Sequence, residues 1–153
     1  MSNIYVLGAG MVGSAMAIDL AKKHHVTISD ISSEVLSRVV EKEPSLKTEI
    51  LDVTDTKDLA SKIKDADLVL SAVPGFLGFE TLKKIILQGK NTVDISFFPE
   101  NALELNQLAL ENNVTAIVDC GVAPGMDNVI LGYYNETHDI DFFECLVGGL
   151  PKL

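Results

Sequence analysis

Short runs of β-branched and apolar residues alternate along this chain with longer segments whose apolar positions recur at helical spacing. That alternation leaves few folds open. Asn3–Leu7 (NIYVL) reads as a buried strand, Met11–Lys23 as a helix of small residues, and His25–Asp30 (HVTISD) as a second strand. Ser32 or Ser33 can cap the next helix, which runs to about Lys42 before Glu43-Pro44 ends it. Lys47–Val53 follows as a strand, then a helix capped by Thr54 or Asp55 over Lys57 to Asp65. Asp67–Val73 is a strand stopped by Pro74-Gly75, and Phe79–Leu87 is helical. Thr92–Ser96, a helix over Asn101–Asn112, Val114–Asp119 and a helix over Met126–Tyr134 continue the pattern, and Ile140–Val147 reads as a last strand. Six consecutive βα units with nearly continuous apolar strands predict an α/β fold, a doubly wound parallel sheet covered by helices on both faces.

At 153 residues the chain has room for one domain with one sizeable core. Acidic residues outnumber basic ones, 22 to 12, and the net charge of −10 argues against nucleic acid and anionic lipid as partners. Cys120 and Cys145 lie 25 residues apart without CxxC spacing, so neither a disulfide framework nor a zinc site is indicated. The apolar stretch from Ile4 to Ile18 is broken by Gly8, Gly10 and Gly13 and is not preceded by a basic residue, unlike a signal peptide. No run of 18 apolar residues is present, so no membrane span is expected, and a cytoplasmic location follows as the simplest expectation.

Gly8-Ala9-Gly10-Met11-Val12-Gly13 fits GxGxxG and stands where that pattern carries meaning, between the first strand and the first helix. Gly8 permits the sharp turn, Gly10 lets a pyrophosphate approach the backbone, and Gly13 lets the helix lie close to the strand. The pyrophosphate would then sit on free N–H groups around Met11 and Val12, at the positive end of the helix dipole. Asp30 ends the second strand, 22 residues after Gly8, where a carboxylate can accept the adenosine ribose hydroxyls; Ile31 beside it joins the cofactor site. Asp30 would repel a 2′-phosphate and no Arg or Lys follows until Arg38, so NAD is expected in preference to NADP. Asp52 and Val53, ending the third strand, could flank adenine or simply cap and pack. Ala72, Val73 and Pro74, ending the fourth, would let the cofactor pass toward its nicotinamide half.

Beyond the sixth strand come Asp119-Cys120-Gly121-Val122-Ala123-Pro124-Gly125-Met126-Asp127-Asn128, and after the last strand Val147-Gly148-Gly149-Leu150-Pro151. With GAGMVG, GVAPGM and VGGLP in that order, the chain resembles the saccharopine dehydrogenase family from its first residue to its last, and within it the lysine 6-dehydrogenase-like branch. The resemblance implies a Rossmann cofactor domain over residues 1–138 and, over 139–153, the start of a catalytic domain that is otherwise absent. It implies an oxidoreductase acting on a C–N bond of an amino acid, with the substrate approached by Ser96, Phe97, Gly125, Asn128, Val147, Gly148, Gly149 and Leu150. Saccharopine reductases of the family tend to carry Asp-Pro-Gly where this chain has Ala123-Pro124-Gly125, which leans toward a lysine-like or other amino-acid substrate. The part present would bind dinucleotide and turn over little substrate, and an orphan last strand bearing Phe142, Phe143 and Leu146 makes a homodimer possible.

No catalytic residue follows from the sequence. His24-His25 suits a surface turn, His138 a helix end, and Cys120 has no adjacent base or positive field. Asp119 and Asp127 are the carboxylates of the PGM stretch, and helix capping explains Asp127 equally well. A stand-alone dinucleotide-sensing module fits the length, acidity and early glycine motif too. It has no need of GVAPGM followed by VGGLP.

Overall fold

All strand pairings in this computed structural model, which describes residues 1–148, are parallel. The strands are β1 (Asn3–Leu7), β2 (His25–Asp30), β3 (Lys47–Ile50), β4 (Leu68–Ser71), β5 (Thr92–Asp94) and β6 (Ala116–Ile117). Their order across the sheet is β3-β2-β1-β4-β5-β6, so the direction of winding reverses between β1 and β4. Ligands bind at the carboxyl ends of the strands at such a reversal, and in this chain Leu7 stands there between Ser29 of β2 and Ser71 of β4.

The pleat sorts β1 into two cores. Ile4 and Val6 pack with Val26, Ile28, Ala17, Leu36 and Val39 under α1 (Met11–Ala21) and α2 (Ser33–Lys42). Tyr5 and Leu7 point the other way, to Val69, Leu59, Ile63 and Ile85 under α3 (Thr56–Ile63) and α4 (Gly75–Leu87). Leu59 and Ile63 are fully buried one turn apart. Leu59→Ala should therefore cost about 2–5 kcal/mol of unfolding free energy by denaturant titration, and a loss below about 1 kcal/mol would contradict this packing. The Tyr5 hydroxyl donates to Glu49 Oε2 at 2.8 Å, and burial, with that carboxylate beside it, pushes the phenol far above its ordinary range.

Local chemistry sets the boundaries. Asp55, not Thr54, caps α3, its Oδ1 accepting from the N–H groups of Lys57 and Asp58. Ser32 caps α2 through Val35 N–H. Pro74 sits at the N-cap of α4 and the helix begins at Gly75, four residues ahead of the expected Phe79, because the proline starts the helix as well as stopping the strand. The expected helix over Asn101–Asn112 divides into a 3₁₀ turn, Ala102–Leu105, and α5 (Asn106–Glu111). A last helix, α6 (Met126–Asn135), has no buried residue.

One expected element is corrected. Ile140–Val147 is irregular rather than a strand. A strand exists only with a neighbour to share its hydrogen bonds, and no described strand pairs with this segment. Residues 140–143 instead lie along α6, in a groove with Asn128, Leu131, Gly132 and Asn135. Among the described residues no helix is long and apolar enough to cross a membrane.

Candidate functional site

The three motif glycines do three different things. Gly8 has φ +93°, and a Cβ there would stand 2.6 Å from the Ala72 carbonyl oxygen of β4's end. At Gly13 a Cβ would stand 2.0 Å from Gly8 O, so α1 crosses the loop at backbone contact. Gly10 is the opposite case, exposed and with nothing within 4 Å of where a Cβ would be. It is the N-cap of α1, no side chain caps that helix, and Met11 and Val12 are exposed. The first N–H groups of a helix have no partner within it, so this end of α1 presents donors and positive dipole to solvent.

Asp30 organises the loop. Its Oδ2 accepts from Ala9 N–H at 2.8 Å and its Oδ1 from Ser32 N–H at 2.9 Å, joining the glycine turn to the start of α2, while Ile31 is exposed beside it. A groove of about 380 Å³ runs along this junction, lined by Ala9, Gly10, Met11, Val35, Arg38 and Lys42. Arg38 was too distant in sequence to count toward the ribose. Helical rise is only about 1.5 Å per residue, so α2 brings Arg38 and Lys42 to this groove, the Arg38 guanidinium donating to Glu34 Oε1 at 3.2 Å.

The remaining expected cofactor residues divide. Val73 is buried and Ala72 half-buried in the wall at the end of β4, with Pro74 exposed at the turn. Val53 packs against the core under α3, and exposed Asp52 accepts the Thr54 hydroxyl and N–H at 2.7 and 2.8 Å, which hold its carboxyl below the usual range. Lys84 Nζ donates to the carbonyls of Val53 and Thr54 and pins that loop to α4.

On the expected substrate side, Phe97 is exposed, but Ser96 is buried with its side chain against Gly78 of α4. A substrate would meet Phe97, not the Ser96 hydroxyl. Gly125 has φ +145°, and a Cβ there would fall 2.2 Å from Gly121 O, a contact only glycine allows. Asp127 Oδ1 accepts from Gly125 N–H and Asn128 N–H, both at 2.8 Å, so it fixes this turn, and Asn128 is exposed. Val147 and Gly148 are exposed; Gly149 and Leu150 lie outside the described residues. Cys120 is exposed and free, and its thiol is pushed up by burial of the sulfur and then by Asp94 and Asp119. That is the wrong direction for a nucleophile. His25 is the exposed first residue of β2, at the end of the sheet opposite the glycine loop, and His138 is exposed in the turn after α6.

The sequence reading passed over Asp94. It is fully buried at the end of β5, and burial raises its carboxyl above the ordinary aspartate value. A charge-bearing residue inside the apolar run TVDIS was the available signal, because an acid is rarely buried without a purpose.

A glycine turn and an uncapped helix end, set where a parallel sheet reverses its winding, define a dinucleotide-binding α/β domain of the Rossmann type. The chain belongs to the saccharopine dehydrogenase family: residues 4–117 match the family model described as the saccharopine dehydrogenase NADP binding domain. It is 28% identical to the saccharopine dehydrogenase [NADP(+), L-glutamate-forming] of Pyricularia oryzae over 97% of this chain and 34% of that protein. It is 25% identical to the Saccharomyces cerevisiae protein of the same description, over 97% of this chain and 35% of that one. The solved apo saccharopine dehydrogenase (L-Glu forming) from S. cerevisiae superimposes with a TM-score of 0.77 at 26% identity, covering 90% of this chain and 32% of that one. A scyllo-inositol dehydrogenase from Lactobacillus casei, at 19% identity and TM-score 0.60 over 77% of this chain and 36% of that one, shares the fold. The chain thus spans about a third of the length of the curated relatives it matches, 34% and 35% for the first two. These matches favour the dehydrogenase reading over a sensing module. They do not support the expected preference for NAD: the family model is described as an NADP binding domain, and the two curated relatives are described as NADP(+) enzymes.

Proposed function

We propose that this chain is the cofactor-binding part of an NADP-dependent oxidoreductase acting on a C–N bond of an amino acid. The open backbone at Gly10, held between two glycines that tolerate no side chain, is the observation that carries the reading. Gly8, Ala9, Gly10 and the first turn of α1 would hold the diphosphate. Arg38 and Lys42 would face the 2′-phosphate, and Ala72, Val73 and Pro74 would guide the nicotinamide half toward Phe97 and the Gly121–Asn128 turn. When bound, the nicotinamide supplies or accepts hydride; the residues of this chain position it and wall it from water. Ala123, in place of an acid, leans the substrate toward a lysine-like or other amino acid. The exposed α6 residues Met126, Val129, Ile130 and Tyr133 suit a face on which further chain of a longer enzyme packs.

Titration with NADPH and NADH tests this directly. NADPH should bind at least about tenfold more tightly, and Arg38→Ala should lose about tenfold for NADPH and little for NADH, since a guanidinium pairs with phosphate and not with a ribose hydroxyl. Tighter binding of NADH would remove the phosphate assignment and leave the dinucleotide site standing. If neither nucleotide binds, the site reading fails.

A further inference from the structure

We propose that Asp94 is a positioning residue that clamps the cofactor wall of the crevice to its substrate wall. The inference rests on the dinucleotide reading. Asp94 stands in register with Ser71, the last residue of β4, from which Ala72, Val73 and Pro74 lead into the crevice. Its Oδ1 accepts from Ser96 N–H at 2.6 Å, and Ile95 N–H donates to Ser71 O at 3.0 Å, so the chain leaving β5 toward Phe97 is bonded to both strand ends. Cys120 N–H donates to Asp94 O at 3.2 Å, which attaches the segment leading into the Gly121–Asn128 turn. Asp94 thus holds the segment toward Phe97 through its side chain and the segment toward the Gly121–Asn128 turn through its carbonyl, while the neighbouring Ile95 N–H holds the end of β4.

The other carboxyl oxygen has no such tie. Asp94 Oδ2 and the hydroxyls of Ser71, Thr92 and Ser96 are all buried without a hydrogen-bond partner among the described residues. The four residues are between 0 and 5% exposed. An ionised carboxylate here meets no counter-charge. Asp119 and the Cys120 thiol, the groups acting on it from beyond β6, are of its own sign. On α4, Glu80 and Lys83 are exposed and Lys84 is held by the carbonyls of Val53 and Thr54. The Ser71 and Ser96 hydroxyls and the Ser96 N–H can donate to the ionised form and pull its pKa down, but burial, the largest influence, outweighs them and raises it. Burial therefore favours the neutral acid in the closed clamp, and ionisation places there a charge met by hydrogen-bond donors but by no cation among the described residues.

Because the folded-state value is raised above that of the unfolded chain, the contribution of Asp94 to stability is complete below the ordinary aspartate value. It is lost as pH rises through the folded value. Asp94→Asn keeps an acceptor for Ser96 N–H and cannot ionise; Asp94→Leu fills the space and removes the tie. Protection of the Ser96 amide against hydrogen exchange and affinity for NADPH are measured from about pH 4.5 to about pH 8 on all three proteins. The wild type should lose at least about fivefold in both across that range beyond any change in Asp94→Asn, whose clamp stays closed throughout. Asp94→Leu should lose Ser96 protection at every pH and bind NADPH about tenfold more weakly. The nucleotide's own phosphate titrates alike in wild type and Asn variant, and a Cys120→Ser background removes the thiol, whose value Asp94 itself raises, so the remaining difference belongs to Asp94. Identical pH profiles for these two, or wild-type protection in the Leu variant, would overturn the clamp. Should the wild type bind no dinucleotide, the functional reading falls, and the Ser96 exchange contrast still decides whether the clamp exists.

Discussion

Gly10→Val should fold as stably as the parent chain and bind its dinucleotide at least about a hundredfold more weakly. The stability half follows from geometry. Gly10 has φ −63° and ψ −173°, open to any residue, and its Cβ would touch nothing within 4 Å. The binding half follows from what that open space is for. A branched side chain at the mouth of α1 holds a diphosphate away from the N–H groups that would receive it, and those hydrogen bonds weaken steeply with distance. A thermal melt and a fluorescence titration with NADPH check both halves together. A Gly10→Val protein that binds like the parent would place the nucleotide elsewhere, and one that fails to fold would show the loop to be structural only.

The second large effect runs the opposite way. Gly75→Ala should destabilise the whole domain by about 3 kcal/mol, lowering the melting temperature by roughly 6–12 °C. Its Cβ would stand 1.9 Å from the Phe97 carbonyl oxygen, a backbone atom that cannot rotate aside. Relief requires moving either the start of α4 or the loop after β5, and Gly78 crowds the same loop at Ser96 and Phe98. Calorimetry on the single substitution measures the cost. A change under about 1 kcal/mol would show that the loop yields freely, and the wall between Pro74 and Phe97 would then not be rigid.

The fold was legible because one physical rule, burial on both sheet faces, writes itself into every strand. β1 and β2 begin and end where their apolar runs do, at Asn3–Leu7 and His25–Asp30. β3, β5 and β6 end earlier than their apolar runs, because residues such as Leu51 continue inward as core after the ladder stops. The glycine roles were legible too, since spacing between a strand and a helix determines them. What the sequence withheld depends on neighbours distant in the chain. Arg38 reaches the loop only once α2 is wound, and Ser96 looks accessible until α4 is laid over it at Gly78. Asp94 was hidden by the strand that contains it, and Ile140–Val147 has a strand's composition without a strand's partner. Alternation states a residue's preference; pairing decides whether it is met.

The Tyr5–Glu49 bond gives this domain a built-in optical gauge. The chain has no tryptophan and three tyrosines, two of which, Tyr133 and Tyr134, sit in solvent on α6. On raising the pH, Tyr5, held far above the ordinary phenol range by burial and by Glu49, should stay dark in the phenolate absorbance band until the sheet opens. The amplitude of the late step would then count unfolded molecules directly, from a residue in the central strand, with no label attached.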